Sequence, residues 1–286
     1  MSLALATRIK LNDGRLMPIF GLGLYQAAAS SKTTQVIRDA IRLGYPLIDT
    51  AELYRNESQV AEAMHKMVDR EQIFITTKIL RTDDGRKGLR KSLNKSLENL
   101  GTSYIDLYLI HAPQGGHVLE VYDEMVQMQN EGKIRSVGVS NFRVQHLEWL
   151  KQAGFVPSVN QIELHPWWPN EDIVRYCRAN HIALMGYSPL GKGHFLTDPY
   201  LCQLSQRYGK TPAQILLRWS IQNNFITIPK TTSGVERLKE NMNIFDFILT
   251  DEDMQGLADH GRKNPQNTGW DPTTNGQAKF GPTEKC

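Results

Sequence analysis

Cysteine is scarce in this chain. Three residues, Cys177, Cys202 and Cys286, are odd in number and widely separated among 286. They match neither a metal-ligand pattern nor a disulfide framework, which points to a reduced compartment and a cytoplasmic protein. An excess of charge is also lacking. A net charge of +3 is too small to imply a nucleic-acid partner or a polyanionic substrate. The basic cluster of Arg81, Arg86, Lys87, Arg90, Lys91 and Lys95 falls on an expected helix, where such a run reads as a solvated face. Long apolar runs are missing too: the patch LALA, Leu3 to Ala6, is far short of the roughly 20 residues of a membrane span and too short for a signal peptide. The eight histidines are scattered, none pairing with another at helical ligand spacing, so no metal site is expected.

A complete glycine fingerprint for phosphate is absent as well. The first strand-to-helix turn reads GLGLYQ, with Gln26 where a third glycine would stand. That weakens a doubly wound dinucleotide-binding sheet and leaves Gly21 and Gly23 as rim glycines of another architecture. What is present is ordinary for a globular protein: 40% hydrophobic and 22% charged residues. The length exceeds the usual single domain, yet α/β barrels of about 250 residues fold as one, and residues 1–286 are read as one such domain.

The opening TRIKLNDGRLMP has two short alternating runs around Asp13-Gly14, a dipeptide suited to a tight turn, and predicts a β-hairpin. Short apolar runs then alternate with amphipathic segments. IFGLG precedes TTQVIRDAIRLG, LIDT precedes SQVAEAMHKM, IFITTK precedes GLRKSLNKSLENLG, and IDLYLIH precedes LEVYDEMVQMQNEG. IRSVGVS, SVNQIEL, IALMGYS and FITIP continue the series, each with its own helical segment. Eight strand-plus-helix units in one series predict an α/β fold, a (β/α)8 TIM barrel with an N-terminal β-hairpin.

In such a barrel the C-terminal strand ends share one face, where chemistry concentrates. The second strand ends on Asp49, the third on Lys78 and the fourth on His111, and Tyr54 follows in the second loop. Singly, these read as a helix cap, a snorkelling lysine, a satisfied histidine and a packing tyrosine. Jointly, a carboxylate, an ammonium, an imidazole and a phenol converge on one rim. A buried carboxylate requires a partner, and Lys78 supplies it. An ammonium nearby is expected to lower the pKa of the Tyr54 phenol, which would donate a proton to a forming alkoxide. No side chain supplies a hydride, so carbonyl reduction implies a nicotinamide cofactor.

The motifs GYPLIDTAELYRNE, IFITTK, DLYLIHAP, GKIRSVGVSNF, NQIELHP, GYSPLG and IPKTTSGVERLKENMNIFDF resemble the aldo-keto reductase family in order and spacing, from the hairpin to about Asp259. The resemblance implies that Asp49, Tyr54, Lys78 and His111 form the catalytic tetrad, with His111 orienting the substrate carbonyl. It implies that Ser140, Asn141 and Gln161 hold the carboxamide of NADPH, that Tyr187 stacks on the nicotinamide, and that Ser188 and Leu190 lie beside the pyrophosphate. Lys230, Thr231, Thr232 and Arg237 then grip the 2′-phosphate, with Glu240 and Asn241 near the adenine. The spacing from Lys230 to Arg237 is one residue longer than the family's commonest form.

Other departures concern the substrate. Ala112 and Leu80 stand where relatives often carry aromatic residues, so a widened pocket is expected, with Tyr25 as its main aromatic wall. Trp168, or Trp270 from the tail, would fill the space otherwise; Trp270 either reaches the pocket mouth or pins the tail. His165 is expected to pack beneath the rim. The resulting expectation is an NADPH-dependent reductase of small carbonyl compounds, acting as a monomer without a nucleic-acid or membrane partner. Two alternatives remain at this point: an aldolase-type lyase using Lys78 as a Schiff base, and a non-catalytic nucleotide-binding regulatory protein on the same fold.

Overall fold

The computed structural model describes residues 3–269; Trp270 and Cys286 lie outside them. β1 (Arg8–Lys10) and β2 (Leu16–Pro18) form the expected antiparallel hairpin, with Arg8 opposite Pro18 and Lys10 opposite Leu16. Gly14, at φ +87°, makes the turn that joins them.

Eight parallel strands follow: β3 (Leu22–Gly23), β4 (Leu47–Asp49), β5 (Phe74–Ile79), β6 (Ile105–Ile110), β7 (Ile134–Ser140), β8 (Val159–Glu163), β9 (Ala183–Tyr187) and β10 (Ile226–Thr227). They are hydrogen-bonded in chain order from β3 to β10. The ends then meet. Parallel bridges join Phe20 to Thr227 and Gly23 to Lys230, with Gly21 N–H donating to Thr227 O at 3.0 Å and Gly23 N–H to Pro229 O at 3.1 Å. This closes the sheet into the barrel. The glycines make the seam possible: a Cβ on Gly21 would lie 2.5 Å from Leu47 Cγ, and one on Gly23 would lie 2.9 Å from Ile228 O.

Six of the outer helices follow their strands directly: α1 (Ser31–Arg42), α2 (Glu57–Met64), α3 (Gly85–Leu100), α4 (Val118–Asn130), α5 (Val144–Gln152) and α6 (Glu171–Ala179). After β9 come α7 (Pro199–Tyr208) and α8 (Pro212–Gln222), and after β10 come α9 (Val235–Met242) and α10 (Asp251–Lys263). The eight-unit reading lacks α7 and α10, because neither belongs to the strand-and-helix repeat; they pack on each other outside it. Both carry local start signals. Asp198 accepts from the Tyr200 and Leu201 N–H groups ahead of α7, and Thr250 accepts from Asp253 N–H ahead of an acidic first turn in α10.

The period of two along each strand divides the core. Ile48, Ile75, Tyr108, Ile110, Val137 and Val139 pack outward against the helices. Leu47, Leu107, Leu109, Val159, Met185, Ile226 and Ile228 form a second buried cluster, joined by Leu11 and Met17 from the hairpin region. The hairpin region thus seals the end of the barrel opposite the C-terminal strand ends. Each fully buried aliphatic side chain of these layers contributes about 1.5–3 kcal/mol relative to exposure. The interior rows continue one step further, to Asp49, Lys78, His111, Ser140, Gln161 and Tyr187. Among the described residues no helix is long and apolar enough to cross a membrane, and no group of three His, Cys, Asp or Glu could hold a metal ion.

Candidate active site

Asp49 and Lys78 are buried at the ends of adjacent strands, 2 % and 0 % exposed. Lys78 Nζ donates to Asp49 Oδ1 at 2.7 Å, to Thr50 O at 2.9 Å and to the Tyr54 hydroxyl at 3.3 Å. The other carboxylate oxygen, Asp49 Oδ2, accepts from Gln161 Nε2 at 2.7 Å across the barrel. Burial pushes the Asp49 carboxyl up and the Lys78 ammonium down, and their contact opposes both shifts.

Tyr54 sits on a 3-10 turn, Glu52–Tyr54, that ends at Arg55 in the left-handed region, φ +56°. Its ring meets the His111 ring edge-on, with centroids 5.6 Å apart, and the Tyr25 ring at 5.2 Å. Burial, reinforced by the Asp49 carboxylate, holds the phenol well above its usual value of 10. The expected lowering by Lys78 is therefore corrected: the sequence shows the ammonium and the carboxylate, but not the burial that outweighs the ammonium. Tyr54 keeps its proton at neutral pH. Burial, and then the charge of Lys78, push His111 down to about 3, so its imidazole is neutral. His111 Nδ1 is buried without a hydrogen-bond partner.

Beyond the tetrad the wall is polar. Asn141, at φ +62°, a conformation asparagine tolerates, donates to His111 O at 2.9 Å and to Ser140 Oγ at 3.0 Å. It also accepts from the Tyr187 hydroxyl at 2.9 Å, while Ser140 Oγ donates to Gln161 O at 2.9 Å. These bonds fix the orientation of the phenol, amide and hydroxyl along one side of a cleft of about 510 Å³. Tyr25, Asp49, Tyr54, His111, Ser140, Asn141, Gln161, Tyr187, Ser188, Leu190 and Lys230 all line this cleft. A smaller hollow of about 200 Å³ is lined by Lys230, Thr231, Thr232, Ser233, Arg237 and Asn241, and it shares Leu190 and Lys230 with the first. The expected residues thus form one path from the tetrad to a cationic end. Lys230 is exposed there, and Arg237 is held to Glu240 Oε2 at 2.7 Å. Glu240 itself lines neither hollow; it accepts from Thr211 and Arg237 instead.

The substrate wall departs from expectation. Ala112 is buried, its carbonyl accepting from Gln114 N–H at 2.8 Å, and it does not line the cleft. Leu80 does not line it either; its N–H donates to Glu52 Oε2 at 3.1 Å. The side that these two were expected to widen is shaped by Tyr25 and Leu53, 45 % and 43 % exposed. Gln26, Lys192 and Thr268 also line the cleft and were not anticipated. Lys192 Nζ donates to Thr268 O at 3.0 Å, and Thr268 N–H donates to Glu163 Oε1 at 2.8 Å, fastening the segment after α10 at the cleft mouth. Only the cleft-lining geometry identifies these residues, since nothing in the local pattern at Lys192 or Thr268 marks a site. His165 is fully buried beside Glu163, 2.9 Å away, beneath the rim as expected, while Trp168 is half-buried and does not line the cleft.

This donor set suits a dinucleotide phosphate. Amide and hydroxyl groups line the tetrad end, where a carboxamide would bind, and Lys and Arg line the far end, where charge-assisted bonds to a phosphate would form. Comparison with known proteins agrees with the geometry. The family model described as "Aldo/keto reductase family" matches residues 19–262. The chain is similar to the glyoxal reductase of Bacillus subtilis, 40% identical over 259 residues, 90% of this chain and 94% of that protein. It is similar to the methylglyoxal reductase DkgA of Escherichia coli, 40% identical over 266 residues, 90% of this chain and 95% of that one. A Bombyx mori aldo-keto reductase solved in complex with NADP superposes with a TM-score of 0.85 at 35% identity, covering 92% of this chain and 95% of that chain. The chain belongs to the aldo/keto reductase family, whose members are NADPH-using oxidoreductases.

Proposed function

We propose that the chain reduces small aldehydes and ketones to alcohols, with NADPH as reductant and Tyr54 as general acid. One observation carries this reading: the Tyr54 hydroxyl, 3.3 Å from Lys78 Nζ, stands beside the His111 ring in a cleft that continues to Lys230 and Arg237. NADPH, when bound, supplies the hydride that the side chains cannot. Ser140, Asn141 and Gln161 would hold its carboxamide end, Tyr187 would cover the ring, and Lys230 and Arg237 would face its 2′-phosphate.

The chain's own residues then handle the proton. A carbonyl oxygen seated between Tyr54 and His111 accepts hydrogen bonds that strengthen as negative charge develops on it. The Tyr54 proton passes to that oxygen, which as an alkoxide is more basic than the phenol. Lys78, 3.3 Å from the phenol oxygen, stabilises the charge left there, and Asp49 keeps Lys78 in place.

The relatives named as glyoxal and methylglyoxal reductases make those two dicarbonyls the first substrates to test. The Lys78 Schiff-base reading is disfavoured, because its Nζ has three hydrogen-bond partners, is fully buried and does not line the cleft. Borohydride with a carbonyl substrate should leave no covalent adduct. The deciding experiment is Tyr54→Phe. Loss of general acid catalysis should lower kcat by about 10²-fold or more while NADPH binding persists. Near-normal turnover in this variant would refute the assignment.

A further inference from the structure

The 3-10 turn that carries Tyr54 has two backbone hydrogen bonds of its own, Tyr54 N–H to Ala51 O at 2.9 Å and Arg55 N–H to Glu52 O at 3.2 Å. A side chain two residues before the tyrosine braces it further. Glu52 Oε2 accepts from Leu80 N–H at 3.1 Å and from Ser92 Oγ at 2.7 Å. Ser92 Oγ in turn lies 3.2 Å from the hydroxyl of Tyr108, which is fully buried in β6.

Leu80 follows directly after β5, the strand that ends at Ile79 and carries Lys78. A single carboxylate oxygen therefore ties the turn bearing the phenol to the strand bearing the ammonium, and both to α3 through Ser92. The distance that matters for proton delivery, Lys78 Nζ to the Tyr54 hydroxyl at 3.3 Å, is spanned by these two segments. Without the brace, the turn keeps its two backbone hydrogen bonds and the Asn56 anchor to Leu24 O and Ala27 O at its far end, but its side-chain tie to the end of β5 is reduced to Lys78, and Leu80 N–H loses its acceptor.

Resting on the reading of Tyr54 as the proton donor, we propose that Glu52 is a positioning residue for the reaction. It acts through Tyr54, without touching substrate, by fixing the phenol against Lys78 and His111. Misplacement of a reacting group by about 1 Å can cost on the order of 10²-fold in rate.

The test compares Glu52→Ala, Glu52→Gln and Tyr54→Phe in steady-state kinetics with methylglyoxal, with NADPH affinity read by quenching of protein fluorescence. Glu52→Ala should lower kcat by about 10-fold or more at unchanged NADPH Kd, and should raise the solvent deuterium isotope effect on kcat as proton delivery becomes more limiting. Glu52→Gln keeps an oxygen acceptor for Leu80 N–H and an amide that can bond Ser92, and should recover most of the rate. A merely structural role would lower melting temperature and cofactor affinity together and leave the isotope effect alone; that result overturns the inference. So does wild-type turnover in Glu52→Ala while Tyr54→Phe is inactive. An active Tyr54→Phe instead removes the reading beneath it, and the inference with it. If Glu52→Ala does not fold, Ser92→Ala withdraws only the outer support and should show the same kcat-limited loss in smaller measure; unchanged kinetics there would equally overturn it.

Discussion

Lys78 and Gln161 hold opposite oxygens of one carboxylate: Lys78 Nζ is 2.7 Å from Asp49 Oδ1, and Gln161 Nε2 is 2.7 Å from Asp49 Oδ2. Both carboxylate oxygens are thus engaged, at a position only 2 % exposed. The arrangement pins the ammonium, whose other two contacts are Thr50 O at 2.9 Å and the Tyr54 hydroxyl at 3.3 Å.

Removing one member should leave the other charge buried and unpaired. Lys78→Met is expected to cost about 3–5 kcal/mol of stability and to abolish turnover, whereas Gln161→Ala removes a neutral donor and should cost about 1–3 kcal/mol. The double variant Asp49→Asn, Lys78→Met should recover part of the single-variant loss in stability without recovering activity. Urea denaturation of the set checks this. Additive losses would mean that the pair is not coupled.

The interior rows explain how much of this was legible. Asp49, Lys78 and His111 are polar exceptions one step beyond apolar runs, and a period of two places them on the same side of consecutive strands, so these three could be brought together from spacing, whereas Tyr54 lies in the loop after β4, and the assignment of the four as a catalytic tetrad came with the family resemblance. The contact between Gln161 and Asp49 could not, because it crosses the barrel and depends on its width. The Tyr54 pKa was misjudged for a related reason: a neighbouring ammonium is visible in the chain, while burial is a property of everything packed around it. Ala112 is buried in the turn after β6, whose carbonyl–amide bond to Gln114 the sequence does not show, and it is not among the residues lining the cleft. Helices α7 and α10 escaped the eight-unit count since they add to the repeat without being part of it. Nothing in the chain near Thr268 signals that Glu163, about a hundred residues earlier, will anchor it.

The shifted titrations fix a pH profile. His111 is depressed from 6.5 to about 3, so its contribution to stability is fully present above pH 6.5 and is lost as pH falls towards 3. The full shift corresponds to up to about 5 kcal/mol. His111→Gln should therefore lose less stability than the wild type between pH 7 and pH 4, as read by urea midpoints. Because the imidazole stays neutral and the Tyr54 phenol is raised above 10, kcat for reduction should show neither an acid limb near pH 6.5 nor an alkaline limb below pH 10 from these groups. An acid limb near 6.5 that disappears in His111→Gln would contradict the neutral-imidazole assignment.

Cofactor choice should rest on the cationic end of the groove. Lys230 is exposed, and Arg237 is prealigned by Glu240 at 2.7 Å. With NADH neither cation has a phosphate to meet, so NADPH should be preferred by about 10-fold or more, in line with charge-assisted hydrogen bonds worth about 1.5–3 kcal/mol. Lys230→Met should narrow that preference mainly by weakening NADPH. Glu240→Gln should keep Arg237 charged but less well aligned and have a smaller effect. Binding titrations with both cofactors provide the measurement, and equal wild-type affinities would remove the 2′-phosphate assignment.

Pocket shape can be tested by placing the same bulk at two positions that the structure separates. Leu53 precedes Tyr54, is 43 % exposed and lines the cleft, whereas Ala112 is 6 % exposed, lies in the turn that follows β6 and does not line it. A tryptophan at Leu53 can extend over the mouth of the cleft beside Tyr25, so Leu53→Trp should raise KM for bulky or branched ketones and leave methylglyoxal nearly untouched at unchanged stability. A tryptophan at Ala112 has no such outlet. Overpacking there should cost about 1–3 kcal/mol and depress kcat for large and small substrates alike, by displacing the adjacent His111. Thermal melts together with KM values for one small and one bulky substrate separate the outcomes. A selective effect on bulky substrates in Ala112→Trp, at wild-type stability, would show that Ala112 faces the substrate after all and that the wall formed by Tyr25 and Leu53 does not set the limit on size.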